Sequence, residues 1–180
     1  QLLNASAVIA ALSALRERIP VSAQDIRNGF AMVELPGRFQ VLPGQPTIVL
    51  DVAHNPHAAA TLGQSLDKMG YHPYTYAIFG AMADKDIAGV IRPMVGLVDH
   101  WFCTDLPTSR AASATELAGF LEENGVKPNH GMDGGIQTFA SPGDAYQKAL
   151  LSAGEGDRIV VFGSFYTVAG VMAYRNNQAH

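Results

Sequence analysis

Four short segments hold the residue types that could do chemistry, and each closes or follows an apolar run. The densest is Asp51-Val52-Ala53-His54-Asn55-Pro56-His57. A carboxylate and an imidazole at the end of a strand can bind a ribose hydroxyl, orient a phosphate or move a proton. The alternative is structural: Asp51 and Asn55 hold the turn, and His54 is buried and hydrogen-bonded. Pro56 suits the first residue of a helix because it has no amide proton to leave unpaired, and Asn55 suits its cap.

The second segment, Gly80 to Asp86, brings Asp84, Lys85 and Asp86 to a predicted helix start. The acids suit the helix dipole, whereas Lys85 opposes it and is therefore a candidate contact for a phosphate or a substrate carboxylate. In the third, Gly163-Ser164-Phe165, the chain opens a helix whose free amides form an anion site. Ser164 either holds a carboxylate there or acts as an N-cap. Thr104-Asp105 is the fourth segment. Nearby Arg110, in Thr108-Ser109-Arg110-Ala111-Ala112, is either a solvated loop residue or an anion contact.

Several chemistries are missing their signatures. No G-x-G-x-x-G follows a predicted strand, and no G-x-x-x-x-G-K-[ST] is present, so the chain has no phosphate-binding P-loop of its own. The six His show no H-E-x-x-H or comparable metal spacing. Ser164 lacks the G-x-S-x-G surroundings of a nucleophile elbow. Cys103 stands alone, which excludes an internal disulfide framework and fits a reducing cytosol.

The elements that must position these segments alternate between two patterns. Thr47–Val52, Tyr74–Phe79, His100–Asp105 and Arg158–Phe162 read as buried strands. Helices are predicted from Pro56 to Gly70, Asp86 to Val98, Ala114 to Asn124, Pro142 to Ala153 and Tyr166 to Tyr174. Phe39–Leu42 could add an edge strand, and a weak extended piece falls at His130–Met132. Strands alternating with helices imply a doubly wound α/β domain with a mostly parallel sheet, whose ligands gather at the strands' carboxyl ends. Before it, apolar residues from Leu3 to Leu15 recur at helical spacing, Pro20 ends that helix, and Ser22 with Asp25 caps a second through Ile26 and Phe30. Leu35-Pro36-Gly37-Arg38 breaks the pattern and reads as a hinge. The expected division is 1–36 and 37–180.

Composition narrows the class. The 180 residues carry 12 Lys plus Arg against 16 Asp plus Glu, a formal charge of −4. With no basic run, nucleic acid is not an expected partner. No apolar stretch approaches the roughly 20 residues of a membrane-spanning helix. The chain opens at Gln1 directly into a helical pattern with no secretory signal, so it has either a trimmed start or begins inside a larger protein.

The string Leu35-Pro36-Gly37-Arg38-Phe39-Gln40 followed by Asp51-Val52-Ala53-His54-Asn55-Pro56-His57-Ala58-Ala59 resembles the folylpolyglutamate synthase/dihydrofolate synthase family of Mur-ligase-like ATP-dependent amide ligases. The resemblance continues through Asp84-Lys85-Asp86, Arg110-Ala111-Ala112 and Phe162-Gly163-Ser164-Phe165, and reaches back to Asn4-Ala5-Ser6-Ala7. It implies a Rossmann-like Mur ligase C-terminal domain at 37–180, preceded by the last helices of a truncated central ATP-binding domain at 1–36. The implied activity joins L-glutamate to dihydropteroate or to folate polyglutamate tails. ATP, with Mg2+, activates the carboxylate as an acyl phosphate. By motif, Asn4 would contact adenine, Arg38 the phosphates, and Asp51 the ribose or the domain-closing contacts. His54 would lie near the reacting phosphate and the incoming glutamate, with Lys85 and Ser164 on glutamate or phosphate. The family's P-loop, magnesium ligands and modified lysine fall outside this stretch. The chain alone is therefore expected to be inactive, to bind nucleotide weakly, and to need the N-terminal domain as its partner in a cytoplasmic monomer. A reading from a different class remains: a stand-alone Rossmann-like module that binds nucleotide or amino acid without catalysis. A Mur-type peptidoglycan ligase is disfavoured by the His54-Asn55-Pro56-His57-Ala58-Ala59 continuation.

Overall fold

A computed structural model describes residues 2–33, 35–128 and 135–178, with side chains from Asn4 onward. The chain divides into two compact units, Gln1–Leu35 and Pro36–His180. In the first, α1 (Leu2–Ala14) is built from alanine and leucine, the strongest helix formers. Helix α2 (Ala23–Met32) starts at the expected capping box: the Ser22 hydroxyl accepts the Asp25 amide at 3.1 Å, and the Asp25 carboxylate accepts the Ser22 amide at 2.9 Å. Among the described side chains of this unit none is buried.

The second unit is a six-stranded sheet: β1 (Gln40–Leu42), β2 (Thr47–Leu50), β3 (Thr75–Phe79), β4 (His100–Thr104), β5 (Gly135–Phe139) and β6 (Arg158–Phe162). Its order is β1-β2-β6-β3-β4-β5, with only β1 antiparallel to its neighbour. Among the described residues five helices cover it: α3 (Pro56–Asp67), α4 (Ile87–Ile91), α5 (Ala114–Glu123), α6 (Pro142–Ser152) and α7 (Phe165–Gln178). Successive strand residues point to opposite faces. Val49, Phe79, Trp101 and Phe162 therefore pack with α3, α4 and α5, while Leu50, Ile78, Phe102 and Val161 pack with α6 and α7. Two buried faces explain why the central strands read as unbroken apolar runs.

Several boundaries differ from the sequence expectations; helix α3 ends at Asp67, three residues before Gly70. Helix α4 stops at Ile91 instead of Val98, because Pro93 has no amide to continue the ladder; the chain goes on in tight turns such as Met94 N–H to Ile91 O. Strand β2 ends two residues early, where Asp51 turns its carboxylate onto backbone amides. Helix α7 begins at Phe165 and runs beyond Tyr174 to Gln178. The extended piece placed at His130–Met132 lies outside the described residues, whereas β5 follows at Gly135–Phe139.

This topology sets β6 between β2 and β3. The loop carrying Ser164 thus leaves the sheet between the loops that carry Asp51 and Lys85.

Candidate functional site

At the carboxyl end of β2 the backbone is tied into a small frame. The Asp51 carboxylate accepts the Phe39 amide with one oxygen and the Ala53 amide with the other, both at 2.8 Å. Burial raises the Asp51 carboxyl above the ordinary aspartate range; the Phe39 and Ala53 amides and the charge of Arg38 work against that rise. The Val52 amide donates to Gly37 O at 2.8 Å, and the Gln40 side-chain oxygen accepts the Gly37 amide at 3.0 Å. Gly37 has a φ of +67°, and an added Cβ would lie 3.0 Å from a Val52 methyl, so glycine is required there. Phe39 also lies in the left-handed region, at φ +48°, which is uncommon for a bulky residue.

Between these pinned residues stands Arg38. Its guanidinium carbon lies 5.7 Å from the centre of the Phe165 ring, within cation–π range, and it makes no ion pair among the described residues. Phe165 opens α7 next to Ser164. The Ser164 side chain is buried and its hydroxyl accepts the Tyr166 amide at 3.1 Å, so it works as a cap of that helix. Gly163 makes the turn before it at φ +103°; a Cβ would come within 2.5 Å of Gly80 O. Thr167 donates to the same carbonyl at 2.8 Å, which locks the end of β3 against the start of α7.

In the β2–α3 loop, Asn55 caps α3 by accepting the Ala58 amide at 2.9 Å, and Pro56 takes the first helical position as expected. His54 is half-buried, with Nδ1 3.0 Å from Val52 O. A carbonyl can only accept, so Nδ1 carries the proton and Nε2 is the acceptor of the neutral ring. After β3, Asp86 caps α4 through the Gly89 amide, and Lys85 falls just outside the helix. Lys85 lies 3.5 Å from Asp84, whose carboxylate also meets Arg110 at 3.3 Å. Desolvation opposes ionisation of Asp84, but the Lys85 and Arg110 cations together with its hydrogen bonds hold its carboxyl below the usual range. The opposition of Lys85 to the helix dipole is thus offset locally by Asp84.

Asn4 belongs to the other unit, where α1 and α2 enclose an apolar groove of about 760 Å³ lined by Asn4, Val8, Leu12, Ile26, Phe30 and Val33, among others. Arg38, Asp51, His54, Lys85 and Ser164 all lie in the α/β unit. Three participants stood inside the quoted motifs but had been given no role: Phe39, Gln40 and Phe165. A left-handed phenylalanine looks like any other in a sequence, and a ring beneath a guanidinium is visible only once β1 and α7 are placed. No group of three or more His, Cys, Asp or Glu placed to hold a metal occurs among the described residues. Burial pushes the Cys103 thiol up to about 12, which leaves it unreactive. No helix among them is long and apolar enough to cross a membrane.

Comparison with known proteins gives this arrangement a family. Residues 37–165 match the Mur ligase, glutamate ligase domain family, and the chain belongs to it. It is 38% identical over 94% of its length to the dihydrofolate synthase/folylpolyglutamate synthase of Buchnera aphidicola from Acyrthosiphon pisum, covering 39% of that protein. To the Escherichia coli K12 protein of the same name it is 37% identical over 94%, covering 37%. Among solved structures, the E. coli FolC complex with DHPP and ADP superposes with a TM-score of 0.86 at 36% identity, covering 98% of this chain and 39% of that one. A bifunctional folylpolyglutamate synthase/dihydrofolate synthase with Mn, AMPPNP and L-glutamate bound gives 0.78 at 38% identity, over 92% of this chain and 38% of the other. The chain therefore spans about two fifths of the length of these relatives, and its six-stranded α/β unit has the fold of the Mur ligase C-terminal domain.

Proposed function

We propose that this chain is the C-terminal part of an ATP-dependent ligase that adds L-glutamate to dihydropteroate, to folate polyglutamate tails, or to both. The observation that carries the reading is the placement of Arg38: an exposed guanidinium with no ion pair among the described residues, between a rigid β2 loop and the start of α7. Such a cation suits nucleotide phosphate, and the positive end of the α7 dipole adds to the same field. The relatives' solved complexes with ADP or AMPPNP support it.

In this reading ATP supplies the phosphoryl group that activates the substrate carboxylate as an acyl phosphate. Arg38 binds the nucleotide phosphates and Asp51 belongs to the same nucleotide side, while Asn4 contacts adenine. His54, with Nε2 unprotonated in its neutral form, faces the incoming amino group and can take a proton from it. Lys85 and Ser164 contact the glutamate carboxylates or phosphate. Closing such a site excludes water from an intermediate that water would destroy. The Mg2+ ligands are assigned, from the resemblance alone, to the remainder of the ligase.

Residues 1–36 are read as the last helices of the central ATP-binding domain. A helix pair with an apolar groove and no buried residue among those described is what a piece of a larger core presents. The 180-residue chain alone is then inactive, and the complete protein is a cytoplasmic monomer. The test is ADP release by the full-length protein. It is expected to require both glutamate and either dihydropteroate or a folate, and no glutamate-dependent release with any of these acceptors would overturn the reading. Calorimetry of the 180-residue chain with ATP, ADP and glutamate is expected to show little binding; tight binding would favour a stand-alone binding module.

A further inference from the structure

The loops that leave β3 and β4 are joined to each other before either reaches its helix. The Ala83 amide donates to Arg110 O at 2.9 Å, the Ala112 amide donates to Ala81 O at 3.0 Å, and Met82 and Ala111 form an antiparallel bridge between them. Ala81 and Ala112 are buried, so the junction is anchored below the surface. The Arg110 loop is also held at its far end, where the Asp105 carboxylate accepts the Ala114 amide at 2.7 Å. Arg110 therefore stands on a fixed backbone beside the Lys85 loop. One carboxylate, Asp84, faces both side chains: Arg110 Nη2 lies 3.3 Å from each of its oxygens, and Lys85 Nζ lies 3.5 Å from one. The neighbouring acid, Asp86, is turned to the Gly89 amide of α4 at 2.9 Å. Two cations facing one carboxylate leave a positive charge over. Of the guanidinium donors, only those on Nη2 of Arg110 are engaged among the described residues. Exposed ion pairs contribute little to stability, so stability does not account for this arrangement.

We infer that Arg110 is a substrate-binding residue: with Lys85 it forms a two-cation clamp for the carboxylates of the incoming L-glutamate, and Asp84 keeps the two cations together. This rests on the ligase reading and deepens it by adding a residue and a loop to the glutamate side of the site. The order of the sheet favours glutamate over nucleotide phosphate as the ligand. Arg38 stands at the end of β2, and both β6 and β3 lie between β2 and β4. With neighbouring strands about 4.8 Å apart, the Arg110 loop leaves the sheet roughly 14 Å from the β2 loop. The two arginines thus occupy opposite flanks of the strand ends. On the Arg38 flank one cation suits phosphate; on the other, two adjacent cations match an amino acid that carries two carboxylates.

The experiment compares Arg110→Ala and Arg110→Lys with the wild type in the full-length protein, by ADP release with glutamate and ATP varied in turn. Arg110→Ala is expected to raise KM for glutamate about tenfold or more, as loss of a charge-assisted hydrogen bond should, with a smaller rise for ATP. Arg110→Lys keeps the charge without the planar fork and is expected to recover part of that loss. A KM for glutamate within about twofold of wild type in Arg110→Ala would overturn the inference. A rise confined to ATP would place Arg110 on nucleotide phosphate and would overturn it as well. Thermal unfolding of the same variants reads a structural role separately. A large fall in Tm for Arg110→Ala, with KM for ATP and for glutamate raised equally, would mark the residue as structural and also sink the inference. If the wild type releases no ADP in response to glutamate, the ligase reading fails and the inference fails with it; an active wild type with an unaffected Arg110→Ala fails the inference alone. Should Arg110→Ala not fold, Arg110→Gln keeps most of the stem and removes the charge, and the same outcomes decide.

Discussion

Helices α2 and α5 begin with the same device and end in different circumstances. Each has ten residues, each has a serine N-cap, and each closes a reciprocal capping box, Ser22 with Asp25 and Ser113 with Glu116. Yet α5 buries Ala114, Leu117 and Leu121 against the sheet, whereas α2 buries nothing. Local signals therefore specify where a helix starts in both units, but only the α/β unit converts its apolar face into a core. The difference is physical. A short helix is marginal in water without tertiary packing, and α5 packs in one cluster with Trp101 and Cys103 of β4.

That contrast can be broken or sharpened by measurement, because Trp101 is the chain's one tryptophan and is fully buried in the α/β unit. Its fluorescence follows that unit alone. The largest effect is expected from Phe79→Ala, which empties a position at the centre of the aromatic cluster with Trp101 and Phe162 and should cost about 3–5 kcal/mol in denaturant unfolding. A loss below about 1 kcal/mol would mean that the core is not where stability resides. Next comes Arg158→Met. The buried guanidinium donates to Leu66 O at 2.6 Å and to Thr75 Oγ1 at 2.9 Å, so its removal should cost about 1–3 kcal/mol. An unchanged denaturation midpoint would show the bonds to be compensated.

The matched pair of caps gives the sharpest comparison. Ser113→Ala should lower the stability reported by Trp101 by about 1 kcal/mol. Ser22→Ala should reduce the far-ultraviolet helix signal, and an unchanged signal would show that the capping box does not hold α2. The smallest effect concerns acid. The Ser113 amide and hydroxyl hold the Glu116 carboxyl below its ordinary value of 4.5, against a slight opposing desolvation. A depressed folded-state pKa contributes stability above the unfolded value, and that stability is lost as pH falls through the folded one. Titration below about pH 4.5 should therefore weaken α5, and Glu116→Gln should remove that part of the acid dependence. Asp25 is depressed in the same sense by Ser22.

The strands facing helices on both sides were the most legible parts of the sequence. Arg158–Phe162 is five residues of which four are apolar, bounded by Asp157 and Gly163, and it forms β6 at those limits. Strand β5 was hidden because Gly135-Ile136-Gln137-Thr138-Phe139 lies at an edge and is half-buried, so no apolar run announces it. Helix α4 was overextended because apolar spacing continues through Met94 and Val98, while Pro93 breaks the hydrogen-bond ladder beneath it. At the site, the Asp51 and His54 loop could be read because its polar types crowd one strand end. The left-handed turn at Phe39 could not, since it arises from Asp51 twelve residues away.

The position of β6 also bears on how the domain is made. A ribosome releases β2, β3, β4 and β5 before the strand that separates β2 from β3 exists. Until Arg158–Phe162 emerges, β2 has only the three-residue β1 to pair with, and the aromatic cluster lacks Phe162. The unit cannot mature progressively from its first strand. It must wait, partly exposed, for nearly its whole length to be synthesised, and chains cut short before β6 should be left to chaperones and proteases.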